Sequence, residues 1–490
     1  MANSINQILT NVDDFVWGVP LMVLILAGGI LLTLRLGILQ IRKLPLALKY
    51  MVSNDEGGNG EISSFAALCT ALSATIGTGN IVGVATAVCA GGPGALFWMI
   101  VTAFFGMATK YSEGLLAIKY RVINKDGHSL GGPFYYIERG MGKNWKLLAK
   151  IFSFFGVCVG LFGIGTFSQV NGISRAINGF FDADNSHCVN IPFLGEYSWS
   201  VVIASFVLAL CVTAVLIGGV KRIANVSQVI VPFMAVIYVL FVVTLIVCNI
   251  TKVPAAFVTI VKAAFSPKAV TGGMVGSMLV AMQKGVARGI FSNEAGLGSA
   301  PIAAAAAQTN EPVRQGLVSM TGTFIDTIVI CTLTGLSIVL TGAWQVEGLE
   351  GVAVTTYAFQ KGLPIPESIS AFILMMCLIF FAFTTILGWN YYSERCLEYL
   401  TGGNMTHVKR FRWIYIIAVF IGPYMTVSAV WTIADIFNGL MAIPNMIAIF
   451  ALNGVVVAET RKFFKVKADN TKREKIYVPS PEKETSVQNM

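Results

Sequence analysis

Charge is what this sequence has least of. Of 490 residues only 12% are Asp, Glu, Lys or Arg, about half the share of an ordinary soluble domain. Histidine is scarcer still: His128, His187 and His407 all sit in polar gaps between apolar runs. No H-E-x-x-H, G-x-S-x-G or phosphate-loop motif occurs, so the usual signatures of a metallopeptidase, a serine hydrolase and an NTPase are missing, and no enzyme is expected. No two of the nine cysteines form a C-x-x-C pair. Cys69, Cys89, Cys158, Cys211, Cys331 and Cys377 lie inside apolar runs and read as small packing residues. Cys188 and Cys248 fall in or near segments expected outside, where a disulfide has room to form. The first apolar run follows Asp13 and Asp14 instead of a basic stretch, so it reads as a span and not as a cleavable leader.

What the sequence has is apolar length. Hydrophobic residues make up 55% of it, and mean hydropathy is +0.73. Eleven runs are long enough to cross a bilayer as helices, at about 15–36, 62–90, 94–119, 151–178, 198–219, 225–249, 271–304, 316–342, 366–396, 412–431 and 433–457. The net charge of +9 does not point to nucleic acid, because the charges lie in the gaps between runs and in the tail. Their distribution orients the chain. Arg42, Lys43, Lys49, Lys119, Arg121, Lys125, Arg139, Lys143, Lys146, Lys150, Lys221, Arg222, Arg314, Arg395, Lys409, Arg410, Arg412 and the tail from Arg461 occupy one alternating set of gaps. The other set holds only Lys252, Lys262, Lys268 and Lys361. The positive-inside rule then puts the N-terminus outside and the C-terminus in the cytoplasm of the plasma (inner) membrane. The 120–150 gap, with Tyr135 and Tyr136 among five Gly or Pro residues, is expected to form a short amphipathic helix at the inner surface.

Two of the runs are interrupted. The second contains Ser73-Ala74-Thr75-Ile76-Gly77-Thr78-Gly79-Asn80-Ile81-Val82-Gly83. Glycine costs about 1 kcal/mol in a helix interior, and unwound backbone survives at membrane depth only where it lines a cavity. Gly79 and Gly83 also make a G-x-x-x-G pair, which on its own means close helix packing. The seventh run contains Gln283-Lys284-Gly285-Val286-Ala287-Arg288-Gly289 and continues Phe291-Ser292-Asn293-Glu294-Ala295-Gly296-Leu297-Gly298. Charges inside a span are expensive and seldom accidental. The two interrupted runs are the second and the seventh, an odd offset of five spans. They therefore open two five-helix units of opposite orientation, the pattern of an inverted-repeat transporter with its site near the bilayer midplane. The expected organisation is an extra N-terminal helix and linker (1–61), a first repeat (62–250), a second repeat (251–458) and a flexible cytoplasmic tail (459–490).

A helix restarting after Gly77 offers free N–H groups to a carboxylate, with the amides of Thr78 and Gly79 best placed. Unwound carbonyls at Ser73, Thr75 and Ile76, the Asn80 amide and the hydroxyls of Thr384 and Thr385 suit Na⁺. Such hydroxyls also simply bond back to their own helix. Gln169 can hold a substrate carboxylate or bridge helices, and Trp389 and Asn390 are similar cases. Met282 and Phe291 can limit pocket volume, and Gln283 joins Met282 as a substrate candidate. Lys284, Arg288 and Glu294 read as an ion-pair gate towards the cytoplasm. Glu113, Arg175, Asp326 and Asp435 read as interface caps. No acid falls in either unwound core, Glu294 apart, which disfavours a proton relay there.

Gly91-Gly92-Pro93-Gly94-Ala95-Leu96-Phe97-Trp98-Met99, with residues 73–83, Gly131-Gly132-Pro133-Phe134-Tyr135-Tyr136 and residues 291–300, resembles the signature of the sodium:alanine symporter family, the alanine or glycine:cation symporters, over about 60–455. The resemblance implies the leucine-transporter fold and Na⁺-coupled uptake of alanine or glycine by alternating access, by a monomer, with no organic cofactor. It implies one ion site using Thr75 and Asn80 and another using Ser73, Ile76, Thr384 and Thr385. Ile100 departs from the tryptophan frequent there.

Overall fold

A computed structural model describes residues 2–53, 58–123, 128–191, 195–265, 278–425 and 427–476. The chain is helical almost throughout. It opens with α1 (Ala2–Val16) and α2 (Val19–Arg35), then a short α3 (Leu44–Val52). The first interrupted run becomes α4 (Ser64–Thr75), a π-helical turn (Gly79–Gly83) and α5 (Val84–Gly91). Ser63 caps α4 by accepting the Ala66 amide. The helix ends because Ile76 leaves the helical region at φ −78, ψ 95, and the two halves meet at 51°. Then come α6 (Gly94–Lys119), α7 (Lys146–Phe162), α8 (Phe167–Phe181), α9 (Trp199–Leu216) and α10 (Gly219–Cys248).

The second half runs α11 (Val253–Phe265), α12 (Met278–Asn293), a break at 294–299 and α13 (Ala300–Ala304). The helices α14 (Pro312–Thr323) and α15 (Thr332–Thr341) follow, joined without interruption by a π-helical segment (Phe324–Cys331). The last are α16 (Val352–Gly362), α17 (Glu367–Leu400), α18 (Met405–Ile421) and α19 (Val427–Ile476). Among the described residues eight helices are long and apolar enough to cross a bilayer alone, and the bent pair makes a ninth. Two of the eleven expected spans fall short of that test. The run at 271–304 starts outside the described residues and then breaks, and that at 412–431 is the 17-residue α18 followed by a 3₁₀ turn (Gly422–Tyr424).

The two broken helices lie antiparallel. The leading half of the second, α12, packs on the trailing half of the first, α5, while α13 packs on α4. The long helices behind them, α6 and α14, pack on each other, and α2 sits outside this core against α6 and α19. On α9 and α10 the face turned away from the protein carries Ile203, Phe206, Leu210, Val229, Phe233, Val236 and Leu240, all more than half exposed. Such an apolar exterior is stable against lipid and not against water.

The 120–150 segment differs from expectation. Val122–Ile123 and Ser129–Leu130 form an antiparallel pair, β1 and β2. They lead into a one-turn helix (Pro133–Tyr136) with Phe134 and Tyr136 fully buried. The helix runs on as a π-helical turn (Ile137–Met141) with Ile137 buried and Arg139 exposed, so the expected short helix is present but follows a hairpin and sets its apolar side chains into the protein. A second hairpin, β3 (Cys188–Ile191) and β4 (Gly195–Ser198), follows α8. All nine cysteines are free, so Cys188 and Cys248 are not joined.

Candidate functional site

The break at 76–78 is held by side chains from α8, from α17 and from the π-helical turn that follows it. The Thr78 amide donates to Gln169 Oε1 on α8 (3.0 Å), and Gln169 Nε2 is fixed by the Ile164 carbonyl (3.0 Å). The Gly77 amide donates to Asn80 Oδ1 (2.9 Å). On the other side, Thr385 Oγ1 of α17 donates to the Ile76 carbonyl (3.2 Å). Gly77 must be glycine here: a Cβ would lie 2.4 Å from Thr385 Oγ1 and 2.9 Å from Gln169 Oε1. Gly79 approaches α12, where a Cβ would meet Ser292 Cα at 3.3 Å. Gly83 meets nothing within 4 Å, so the G-x-x-x-G pair is not a packing motif as a pair.

Asp326 is the residue the sequence reading misplaced. It is not an interface cap but wholly buried in the π-helical segment, beside the break. Its Oδ1 accepts Asn80 Nδ2 (2.7 Å) and its Oδ2 accepts Ser292 Oγ (2.9 Å) and Thr327 Oγ1 (2.7 Å). One carboxylate thus ties the first broken helix to the second. The extra residue per turn of a π-helix re-aims side chains, so a straight-helix count over 316–342 does not place Asp326 correctly. The usable signal was a carboxylate in the middle of an apolar span.

The ion candidates divide. Thr385 reaches the Ile76 carbonyl and Ser73 packs on α17, where a Cβ on Gly388 would lie 2.8 Å from Ser73 Oγ, while both hydroxyls also bond back to their own helices, to the Phe381 (3.0 Å) and Thr70 (2.8 Å) carbonyls. Thr384 donates to the Phe381 carbonyl (3.0 Å) and faces Met234. Thr75 bonds back to the Ala71 and Leu72 carbonyls (both 3.3 Å). Met282 and Gln283 are not brought to Thr78 and Gly79. They precede Ser292 by about ten residues, about 15 Å along a helix, and lie near Gly91, whose Cβ would touch Ala281 and Lys284. Phe291 and Ser292 face the break in their place.

The expected gate is also rearranged. Arg288 forms a two-pronged pair with Asp435 of α19 (3.0 and 2.6 Å), and Trp17 donates to the Asp435 carbonyl (2.7 Å). Lys284 is exposed. Glu294 faces away from both; it accepts Trp389 Nε1 (2.8 Å) and Ser299 Oγ (2.5 Å). The α12 helix ends at Asn293 and Glu294 takes φ +57, which turns its side chain out of line with Arg288. Three buried acids, Glu113, Glu294 and Asp326, therefore stand at the two breaks, where the sequence reading allowed only Glu294. Buried Asn390 lies beside Trp389 on α17.

A cavity of about 1970 Å³ opens at the end of the molecule that carries Gly91, Gly92 and Pro93. It reaches Asn171, Gly172, Arg288 and Trp431. Phe291 lies under it, its ring 5.2 Å from that of Trp431, with the Arg288 guanidinium 5.3 Å from it. These three side chains separate the cavity from the break. The opposite end is shut. Residues 61–62 bond to the Ala306 carbonyl and Gln308 bonds to the Ile62 carbonyl. Arg121 donates to the carbonyls of Ala307 (2.8 Å) and Thr309 (2.6 Å) and to Asn310 Oδ1 (3.0 Å).

A polar break inside a bundle of membrane-length helices, with a cavity above it shut off by three side chains and the other end sealed, is the arrangement of a multi-pass secondary transporter. The sodium:alanine symporter family model matches residues 2–477, and the chain belongs to that family. It is 56% identical over 462 residues to an uncharacterized transporter of Haemophilus influenzae, covering 94% of this chain and 96% of the relative. It is 46% identical over 473 residues to the sodium/alanine symporter AgcS of Methanococcus maripaludis (95% and 99% covered). It is 35% identical to the probable sodium/glutamine symporter GlnT of Bacillus subtilis (95% and 92%). The crystal structure of MhsT in complex with L-phenylalanine superposes at TM-score 0.49 with 12% identity, covering 82% of this chain and all of that one. The chain is a sodium-coupled symporter, as its family and relatives are, with Na⁺ as the coupling ion.

Proposed function

We propose that the transported solute is alanine or glycine, carried inward with Na⁺ across the plasma membrane by a monomer whose N-terminus is outside and C-terminus cytoplasmic. The repeats are 62–250 and 251–458. The observation that carries this reading is the Thr78 amide, held at rest by the neutral Gln169 oxygen. A substrate carboxylate is the better acceptor, because charge-assisted hydrogen bonds are roughly twice as strong as neutral ones. It takes the Thr78 and Gly79 amides while Gln169 swings aside to donate to it. A Cβ on Gly77 would lie 2.9 Å from Gln169 Oε1 and one on Gly172 2.6 Å from Thr78 Cγ2, with Phe291 against Gly79; such close packing favours a hydrogen or methyl side chain, and the sodium/alanine symporter relative supports the same class.

One Na⁺ is assigned to Asn80 with Asp326, whose charge balances it in a low-dielectric site. Thr75 reaches that ion only if its hydroxyl turns from its own helix. The second is assigned to the Ser73 hydroxyl, the Ile76 carbonyl and Thr385, with Thr384 rotating in. The Arg288–Asp435 pair, with Phe291 and Trp431, then forms the gate on the cavity side, and Arg121 holds the far side shut. The alternating arrangement of lysine and arginine supports the cavity side being outside.

The test is uptake of labelled alanine and glycine into proteoliposomes under an inward Na⁺ gradient, with competition by other neutral amino acids. Saturable, Na⁺-dependent uptake of either solute supports the reading. Equal uptake when K⁺ replaces Na⁺, or preference for a large side chain, refutes it.

A further inference from the structure

The two breaks are not filled alike. At the first, the free amides meet neutral oxygens from Gln169 and Asn80. At the second, the Gly296 amide donates to Glu113 Oε1 (3.1 Å), a carboxylate that α6 delivers from outside the broken helix. The Gly298 amide faces the same carboxylate. Asn445 Nδ2 of α19 adds a third donor (2.7 Å), and Asn445 is itself fixed by the Gly296 carbonyl (2.9 Å) and the Tyr136 hydroxyl. Gly296 and Gly298 take φ +92 and +79, the backbone that turns these amides inward. A turn before Glu113, buried Lys110 donates to the Asn293 carbonyl (2.8 Å) at the C-terminal end of α12.

Converging main-chain amides, a carboxamide donor and a nearby ammonium are the donor set of an anion site. Left empty at membrane depth, each unpaired donor costs free energy. We propose that the 294–299 loop is an anion site that the chain fills with its own Glu113, and that without this side chain the transporter depends on a small monovalent carboxylate from solution. The consequence for transport is directional. The second break is already stoppered by an internal anion, so the substrate's carboxylate has only the first break to bind. This extends the transport reading, but the site itself does not depend on which solute is carried.

The full-length Glu113→Ala protein, which lacks an acetate's worth of atoms, tests it. Na⁺-driven uptake falls at least about tenfold, because the buried amides and Asn445 lose their acceptor and Lys110 a nearby opposite charge. Adding formate or acetate restores most of it, sulfate does not, and the wild type responds to none of them. In detergent, formate raises the melting temperature of Glu113→Ala alone, as a ligand binding the folded state must. That shift reads the site even if alanine and glycine prove to be the wrong solutes. Glu113→Gln keeps the volume without the charge, and covers the case in which the alanine variant does not fold. It loses about tenfold in uptake, the scale of a charge-assisted bond, and does not respond to formate. Wild-type uptake by Glu113→Gln overturns the proposal. So does a folded Glu113→Ala whose uptake and melting are both indifferent to formate and acetate.

Discussion

Replacing Gly77 by alanine adds one methyl group where there is no room for it. The new carbon would lie 2.4 Å from Thr385 Oγ1 and 2.9 Å from Gln169 Oε1. Both atoms must retreat, and both are engaged: Thr385 with the Ile76 carbonyl and Gln169 with the Thr78 amide. Losing two such bonds costs about 1–3 kcal/mol in all, and overpacking adds about 1–3 kcal/mol. At about 1.4 kcal/mol per decade, a total of about 2–6 kcal/mol corresponds to a loss of roughly 30- to 20,000-fold in the coupled binding of Na⁺ and substrate. Gly83→Ala is the internal control. It makes the same chemical change six residues further on, where a Cβ meets nothing within 4 Å, and removing a helical glycine is neutral or gains up to about 1 kcal/mol. The assay is equilibrium binding of labelled alanine as a function of Na⁺ on purified, folded protein. Gly77→Ala binding as tightly as Gly83→Ala, or both falling together, refutes the claim that close approach at the break, and not glycine flexibility in general, makes the site.

Asp326→Asn preserves shape but removes the charge, and with it about 1.5–3 kcal/mol of charge-assisted bonding; the Na⁺ concentration for half-maximal uptake rises at least about tenfold, and an unchanged Na⁺ dependence removes Asp326 from the ion site. Asn80→Ala shifts it in the same direction, and the same null result removes Asn80. Arg121→Ala releases the carbonyls of Ala307 and Thr309, so a cysteine at Ser73, with Cys211 and Cys248 replaced by serine, is labelled faster from the closed end; slower melting or faster melting with unchanged labelling contradicts a latch. Asp182, which leads out of α8, is held down to about 2 by the Ser198 hydroxyl, with the Ser186 hydroxyl and amide and His187 also bonded to it. A depressed value means the contact stabilises above the ordinary carboxylate value and is lost as pH falls towards 2. The melting difference between wild type and Asp182→Asn is therefore present at pH 5 and shrinks on acidification through that window; a constant difference refutes it.

The sequence alone determined that this chain lives in a membrane and that two of its spans break. Both follow from local rules: lipid offers no partners to backbone or charge, so glycines and polar residues inside an apolar run at 73–83 and 291–300 have to serve a site. It also named Asn80, Gln169, Ser73, Ile76 and Thr385, each within or able to face the first break. Tertiary structure alone decided which groups pair. Arg288 finds Asp435 and not Glu294, Asp326 reaches Asn80 across 246 residues, and Glu113 enters the second break from another helix. Met282 and Gln283 sit too early on α12 to touch the first. Periodicity and composition report how a segment meets its surroundings; they carry no information about which distant segment supplies the partner, and a π-helical turn shifts the face of every residue after it.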